Sequence, residues 1–170
     1  MNFFINRKCA GVYKNERFYS IITYSGQGLW RSDFRAKEHV LLADASDQAL
    51  GHAIWDALSQ SRIVQPKDDP ELWDNDLAKQ RVQVWNKQRM QRFGYKTRGA
   101  MFRHMKICNI SLRDGMIQIR PSKRERGGNL YTGESFEESD YVYIPETSTE
   151  AEIGAGLRLA LSRCIPRDIE

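Results

Sequence analysis

Val40-Leu41-Leu42-Ala43-Asp44-Ala45-Ser46-Asp47-Gln48-Ala49-Leu50-Gly51-His52-Ala53-Ile54-Trp55-Asp56-Ala57-Leu58-Ser59 is echoed, in a gapless register, by Tyr143-Ile144-Pro145-Glu146-Thr147-Ser148-Thr149-Glu150-Ala151-Glu152-Ile153-Gly154-Ala155-Gly156-Leu157-Arg158-Leu159-Ala160-Leu161-Ser162. Each copy reads as a short strand, a hydroxyl cap and a helix. Ser46 and Thr149 supply N-caps whose oxygens accept from orphan amides, and acidic residues in the first turn suit the positive end of the helix dipole. Thr149 and Glu152 complete a capping box. Leu50, Ala53, Ile54, Ala57 and Leu58, and then Ile153, Gly156, Leu157, Ala160 and Leu161, fall at the spacing of a helix laid on a sheet. Gly51, Ala53, Gly154 and Gly156 interrupt stronger core-forming choices, which predicts a close helix–strand or helix–helix approach.

Outward from these copies the pattern is one of hairpins. A strand around Gly11-Val12-Tyr13, a polar turn at Lys14-Asn15-Glu16 and the β-branched, aromatic run Arg17 to Tyr24 predict the first. Phe102 to Leu112, a turn at Arg113-Asp114-Gly115 and Met116 to Arg120 predict a second, with Asp-Gly as its turn signal. Residues 29–37 read as loop. Glu71 to about Phe93 suits one long polar helix, with Leu72, Leu77, Val82, Trp85 and Met90 available for burial and Gly94 as its stop. Residues 122–139 read as a charged loop, mobile or partner-facing. The sum is one α+β domain over residues 1–170, with a largely antiparallel or mixed sheet, helices packed on it and two similar strand–helix units.

The chain's 170 residues suffice for an ordinary core without disulfide or metal. Its three cysteines, Cys9, Cys108 and Cys164, form no CxxC pair and lie in apolar contexts, which predicts reduced, buried thiols and a cytoplasmic location. Neither a signal h-region nor a run approaching the roughly 20 apolar residues of a membrane span is present. Charge is segregated: residues 68–76 hold five acids, residues 79–126 hold fourteen Lys or Arg against Asp114 and Glu125, and residues 134–152 hold seven acids and no base. Such segregation attracts charged partners or pairs internally.

Catalytic patterns are absent. Only His39, His52 and His104 offer imidazoles. His104 and Cys108 share a predicted strand face, but residues four apart on a strand are about 13 Å apart, too far for a nucleophile–base pair. No His, Cys or Asp cluster has metal-ligand spacing. Gly26-Gln27-Gly28 lacks the rest of a dinucleotide fingerprint. No cofactor is expected.

Two surface readings remain. The basic stretch interleaves Trp85, Phe93, Tyr95 and Phe102 with Lys79, Arg81, Lys87, Arg89, Arg92, Lys96, Arg98 and Arg103; it could hold phosphates while the aromatics stack on bases. Equally, those aromatics fit a core and those charges a solvated face. The acidic segments mix carboxylates with aromatic anchors: Asp68, Asp69, Glu71, Trp73, Asp74 and Asp76, then Glu134, Phe136, Glu137, Glu138, Asp140 and Tyr141. That chemistry steers and holds a basic protein. Helix-start acids and an exposed loop would look the same.

The segments Ala43-Asp44-Ala45-Ser46-Asp47, Leu50-Gly51, Ala57-Leu58, Ser61-Arg62, Tyr24-Ser25-Gly26, Ile119-Arg120-Pro121 and Ile153-Gly154-Ala155 through Cys164 together resemble the CdiI immunity proteins of bacterial contact-dependent growth inhibition. The resemblance runs from about Gly11 to Cys164. It implies a cytoplasmic antidote without catalytic activity, binding the C-terminal toxin domain of a cognate CdiA effector, in many cases a tRNA-cleaving nuclease. Neither membrane nor metal enters that picture, and nucleic acid is not the expected partner. An inhibitor of a basic nuclease is often acidic, whereas this chain carries a net charge of +4. The acidic segments would therefore act locally, with 68–76 and 134–141 as contacts. The alternative is an RNA-binding or RNA-processing protein that uses residues 79–126.

Overall fold

In the computed structural model, which describes residues 7–125, 131–133 and 135–166, the chain runs β1 (Lys8–Lys14), β2 (Phe18–Gln27), β3 (Leu29–Ser32), β4 (His39–Leu42), α1 (Asp47–Ser59), α2 (Pro70–Trp73), α3 (Asn75–Phe93), α4 (Arg98–Phe102), β5 (Lys106–Arg113), β6 (Met116–Arg120), β7 (Lys123–Arg124), β8 (Tyr131–Thr132), β9 (Val142–Pro145) and α5 (Glu150–Arg163). Seven strands form one antiparallel sheet in the order β3-β2-β1-β5-β6-β9, with β4 pairing the first half of β2 and β3 the second. The short β7–β8 ribbon stands apart.

The repeat is longer than its sequence signal. Both β1–β2–β4–α1 and β5–β6–β9–α5 comprise an antiparallel hairpin, a third antiparallel strand on its second arm, and a helix. The two halves meet where β1 pairs β5, with Gly11 opposite Asn109. By register, Val12 corresponds to Ile110, Ile21 to Ile119 and Phe18 to Met116.

The helices cap as read. Ser46 Oγ accepts from the Ala49 amide, while Thr149 and Glu152 exchange side-chain and backbone hydrogen bonds. Leu50, Ala53, Ile54, Ala57 and Leu58 are buried, as are Ile153, Leu157, Ala160 and Leu161, all against the inner sheet face of Ala10, Val12, Tyr19, Ile21, Cys108, Ile110, Ile117 and Ile119. The glycines have a reciprocal purpose: a Cβ on Gly51 would overlap the Glu150 carbonyl oxygen, and one on Gly154 the Asp47 carbonyl oxygen. Each helix thus rests its first turn on the other's glycine. Arg158 locks the crossing by pairing Asp47 and donating to the Tyr19 hydroxyl at 3.1 Å.

Departures from the sequence reading concentrate on the outer sheet face. The single helix expected over 71–93 is two, because extended Asp74 (ψ 116°) ends α2 and accepts from the Asp76 and Leu77 amides to start α3. Val82, expected to be buried, is 55% exposed. The predicted loop at 29–37 contains β3, zipped onto the end of β2. The expected strand from Phe102 begins only at Lys106: Thr97 caps α4 by accepting from the Ala100 amide, and burial of Met101 and Phe102 in a second core outweighs local strand propensity. That core joins Phe18, Tyr95, Met101, Phe102, Met105 and Ile107, with Trp85, Met90 and Phe93 of α3 packed on it. In the β5–β6 turn Asp114 (φ 50°) and Gly115 (φ 75°) adopt the left-handed pair that a two-residue hairpin requires.

Candidate partner-binding surfaces

No group of three or more His, Cys, Asp or Glu among the described residues could hold a metal ion. His39 Nε2 meets Asp56 at 2.6 Å and His52 Nδ1 meets Glu150 at 3.0 Å, and both imidazoles line one open hollow beside the start of α1. His104 is exposed. Burial pushes the Cys9 thiol up to about 11. Cys108 and Cys164, both buried, lie sulfur to sulfur at 3.6 Å; the hydrogen bond to Cys164, with burial, raises Cys108. No helix among the described residues is long and apolar enough to cross a membrane.

The first acidic segment is mostly committed within the fold. Asp69 is buried and accepts from Arg35 at 2.9 and 3.0 Å and from Arg62 at 3.2 Å. Arg62 also grips Asp33 at 2.8 and 3.1 Å, while Ser25 donates to Asp33 at 2.7 Å. These bonds, Arg35's foremost, hold the Asp69 carboxyl far below its ordinary value. Burial alone would raise Asp33, but the Arg62 and Ser25 hydrogen bonds outweigh it and lower it. Glu71 lies 3.5 Å from Arg35. These ion pairs tie the connector after α1 to the end of β2, where Ile63 bridges Gly26. Asp69 is therefore committed as an internal strut, and Asp74 as a helix cap. Asp68, Glu71 and Asp76 are exposed, and Trp73 is half-buried with the Arg31 guanidinium 5.5 Å from its ring centre. Arg31, Arg35 and Arg62 bring three positive charges to this end, which offset Asp33 and Asp69 but only part of the remaining acids. Sequence separations of tens of residues hide such pairing from a linear reading.

The second acidic segment is open. Glu134 lies outside the described residues. Glu137 and Glu138 are exposed, Phe136 and Asp140 half-buried. Glu137 and Asp140 brace a 3-10 turn at Glu138–Asp140, whose Asp140 carbonyl accepts from Arg163 at 2.9 Å. From there a polar ladder crosses the outer sheet face: Ser111 donates to Gln118 at 3.4 Å, Gln118 to the Tyr143 hydroxyl at 3.2 Å, and Tyr143 to Glu138 at 3.1 Å. Met116 and Tyr143 are 39% and 43% exposed on this face. Period-two alternation places both on the outer face, yet nothing local tells that the face stays uncovered, so sequence reasoning passed over them.

In the basic stretch the aromatics are core. Trp85 sits 5.6 Å from Tyr13 and 6.3 Å from Phe102 between ring centres; Phe93 stacks on Phe18 at 4.5 Å. Arginines cover further faces: Arg98 lies over Phe102 at 4.6 Å and Arg17 over Tyr95 at 4.4 Å. Arg89 pairs with Glu38, which also accepts from the Trp85 indole and from Ser20. Stacking platforms for bases are thus occupied.

The chain is thus a doubled β-β-β-α domain with its charge spread over its surfaces. The chain belongs to the CDI immunity protein family, whose match spans residues 8–164. It is 36% identical to immunity protein CdiI-YPIII of Yersinia pseudotuberculosis serotype O:3, over 96% of this chain and 99% of that protein. Among solved structures it resembles a chain of the CdiA-CT/CdiI toxin and immunity complex from Y. pseudotuberculosis, with TM-score 0.87, 35% identity, and coverage of 95% of this chain and 99% of that one. It also resembles a Neisseria meningitidis protein of unknown function, with TM-score 0.84, 33% identity, and coverage of 96% and 99%.

Proposed function

We propose that this chain is the cytoplasmic antidote to the C-terminal toxin domain of a cognate CdiA effector, an RNase or tRNase, which it neutralises by stoichiometric binding without catalysis of its own. The observation carrying this reading is whole-domain similarity to a chain from a toxin–immunity complex, at TM-score 0.87 and 35% identity. Of the two acidic segments, the open one supplies the main contacts in this reading, through Glu134, Phe136, Glu137, Glu138 and Asp140, while Asp68, Glu71, Trp73 and Asp76 of the other are peripheral. Asp69 and Asp74 hold the first loop in shape. The RNA-binding alternative has less support, since Trp85, Phe93, Tyr95 and Phe102 pack inward.

Co-expression tests it. Cells producing the CdiA C-terminal domain from the same bacterium should grow normally only with this chain, and calorimetry of the purified pair should give one-to-one binding. Death of cells containing folded, abundant chain would overturn the reading. Salt-sensitive retention of RNA by the purified protein would revive the alternative.

A further inference from the structure

We infer that the toxin domain docks on the outer face of the second half of the sheet, around Met116 and Tyr143, and that the acidic loop before β9 is the rim of this site. The inference rests on the toxin-binding reading and names its surface. In the first half, Phe18 is fully buried beneath Trp85 and Phe93. Met116 holds the matching position in the second half and is 39% exposed. The same fold position is thus covered in one half and open in the other. Tyr143 lies one strand over, opposite Gln118, and its ring is fixed through its hydroxyl by Gln118 and Glu138. An ordered aromatic beside a flexible thioether, with carboxylates at the edge, has the composition of an interface centre and its rim.

Charge specifies the occupant. Glu138, which accepts from Tyr143, is exposed beside this face, and Glu146 is exposed at the β5–β6 turn, where its amide donates to the Gly115 carbonyl. Residues 134–148 hold five acids and no base, and Arg113, opposite Met116, pairs with Asp114. Arg120 lies inward on the same face, and its buried Nε has no hydrogen-bond partner. The matching partner is a basic protein domain that seats an apolar residue between Met116 and Tyr143 and sets lysines or arginines against the rim. In the first acidic segment Arg35 and Arg62 neutralise Asp69 and Asp33, and the Arg31 guanidinium lies 5.5 Å from the Trp73 ring centre, so its aromatic is already covered although Asp68, Glu71, Asp74 and Asp76 are exposed.

The experiment titrates the purified CdiA C-terminal domain from the same bacterium into wild-type chain and three folded variants. Met116→Glu combined with Tyr143→Ala should weaken binding at least about 100-fold, Glu138→Lys about tenfold, and Asp76→Lys less than about threefold. Double-variant binding within threefold of wild type overturns the assignment of this face and leaves the toxin-binding reading standing. Absence of binding by the wild-type chain overturns that reading itself, and the site with it. Hydrogen exchange of the unmodified complex checks the surface without mutation: protection over residues 114–120 and 137–146 supports it, and protection confined to 63–93 overturns it.

Discussion

The two halves of the sheet bury matching inner faces and treat their outer faces differently. Inside, Val12 and Ile21 answer Ile110 and Ile119, and two glycines cross at one reciprocal contact. Outside, the first half carries Phe18 under α3 and α4, whereas the second carries Met116, Gln118 and Tyr143 toward solvent. The segment joining the halves has become the cover of only one of them. A duplicated scaffold thus acquires a polarity that its duplicated parts lack: one side is finished by its own chain, the other left for recognition.

The strongest test of the shared inner design is at the crossing. Gly51→Ala and Gly154→Ala each force a Cβ into the other helix's backbone, and each should cost about 3 kcal/mol in urea unfolding. Closely similar losses would confirm that the halves are equivalent here; a loss under about 1 kcal/mol at either would break the symmetry. On the outer side the halves should diverge. Trp85→Ala removes a half-buried indole and its bond to Glu38, and should cost about 2 kcal/mol while speeding hydrogen exchange in α3. Met116→Ala, at the matching place in the open half, should change stability by less than about 0.5 kcal/mol.

Acid sharpens the contrast between the two acidic segments. Asp33 and Asp69 have folded-state pKa values below their unfolded ones, so their stabilisation is present above about pH 4 and is lost as pH falls through the folded values. Arg62→Gln should lower the melting temperature at pH 7 and flatten its decline between about pH 5 and 2, because Asp33 then stays buried without its partner. Glu138→Gln should leave that acid profile unchanged. At the alkaline end Cys9, raised to about 11 by burial, favours the folded state below its ordinary value near 8.5, and this contribution fades as pH rises toward 11. Native protein at pH 8 should therefore alkylate at Cys9 far more slowly than unfolded protein, the smallest effect of the series.

What the sequence determined by itself was local or periodic. Ser46, Thr149 and Glu152 cap because caps act within a few residues; the stripes of α1 and α5 bury because their period allows one orientation; Asp114-Gly115 turns because of its own backbone preferences. Membership of the family was legible in those same structural segments, which say little about contacts. The tertiary structure alone decided the rest. Asp69 reads as a free acid until Arg35 and Arg62 reach it, and Phe102 reads as strand until it enters a core built from β1, β2 and α3. Whether Met116 faces a helix or water depends on where residues 70–102 come to rest. Such outcomes depend on long-range pairing and on competition for one apolar face, and local propensity carries no record of which partner wins.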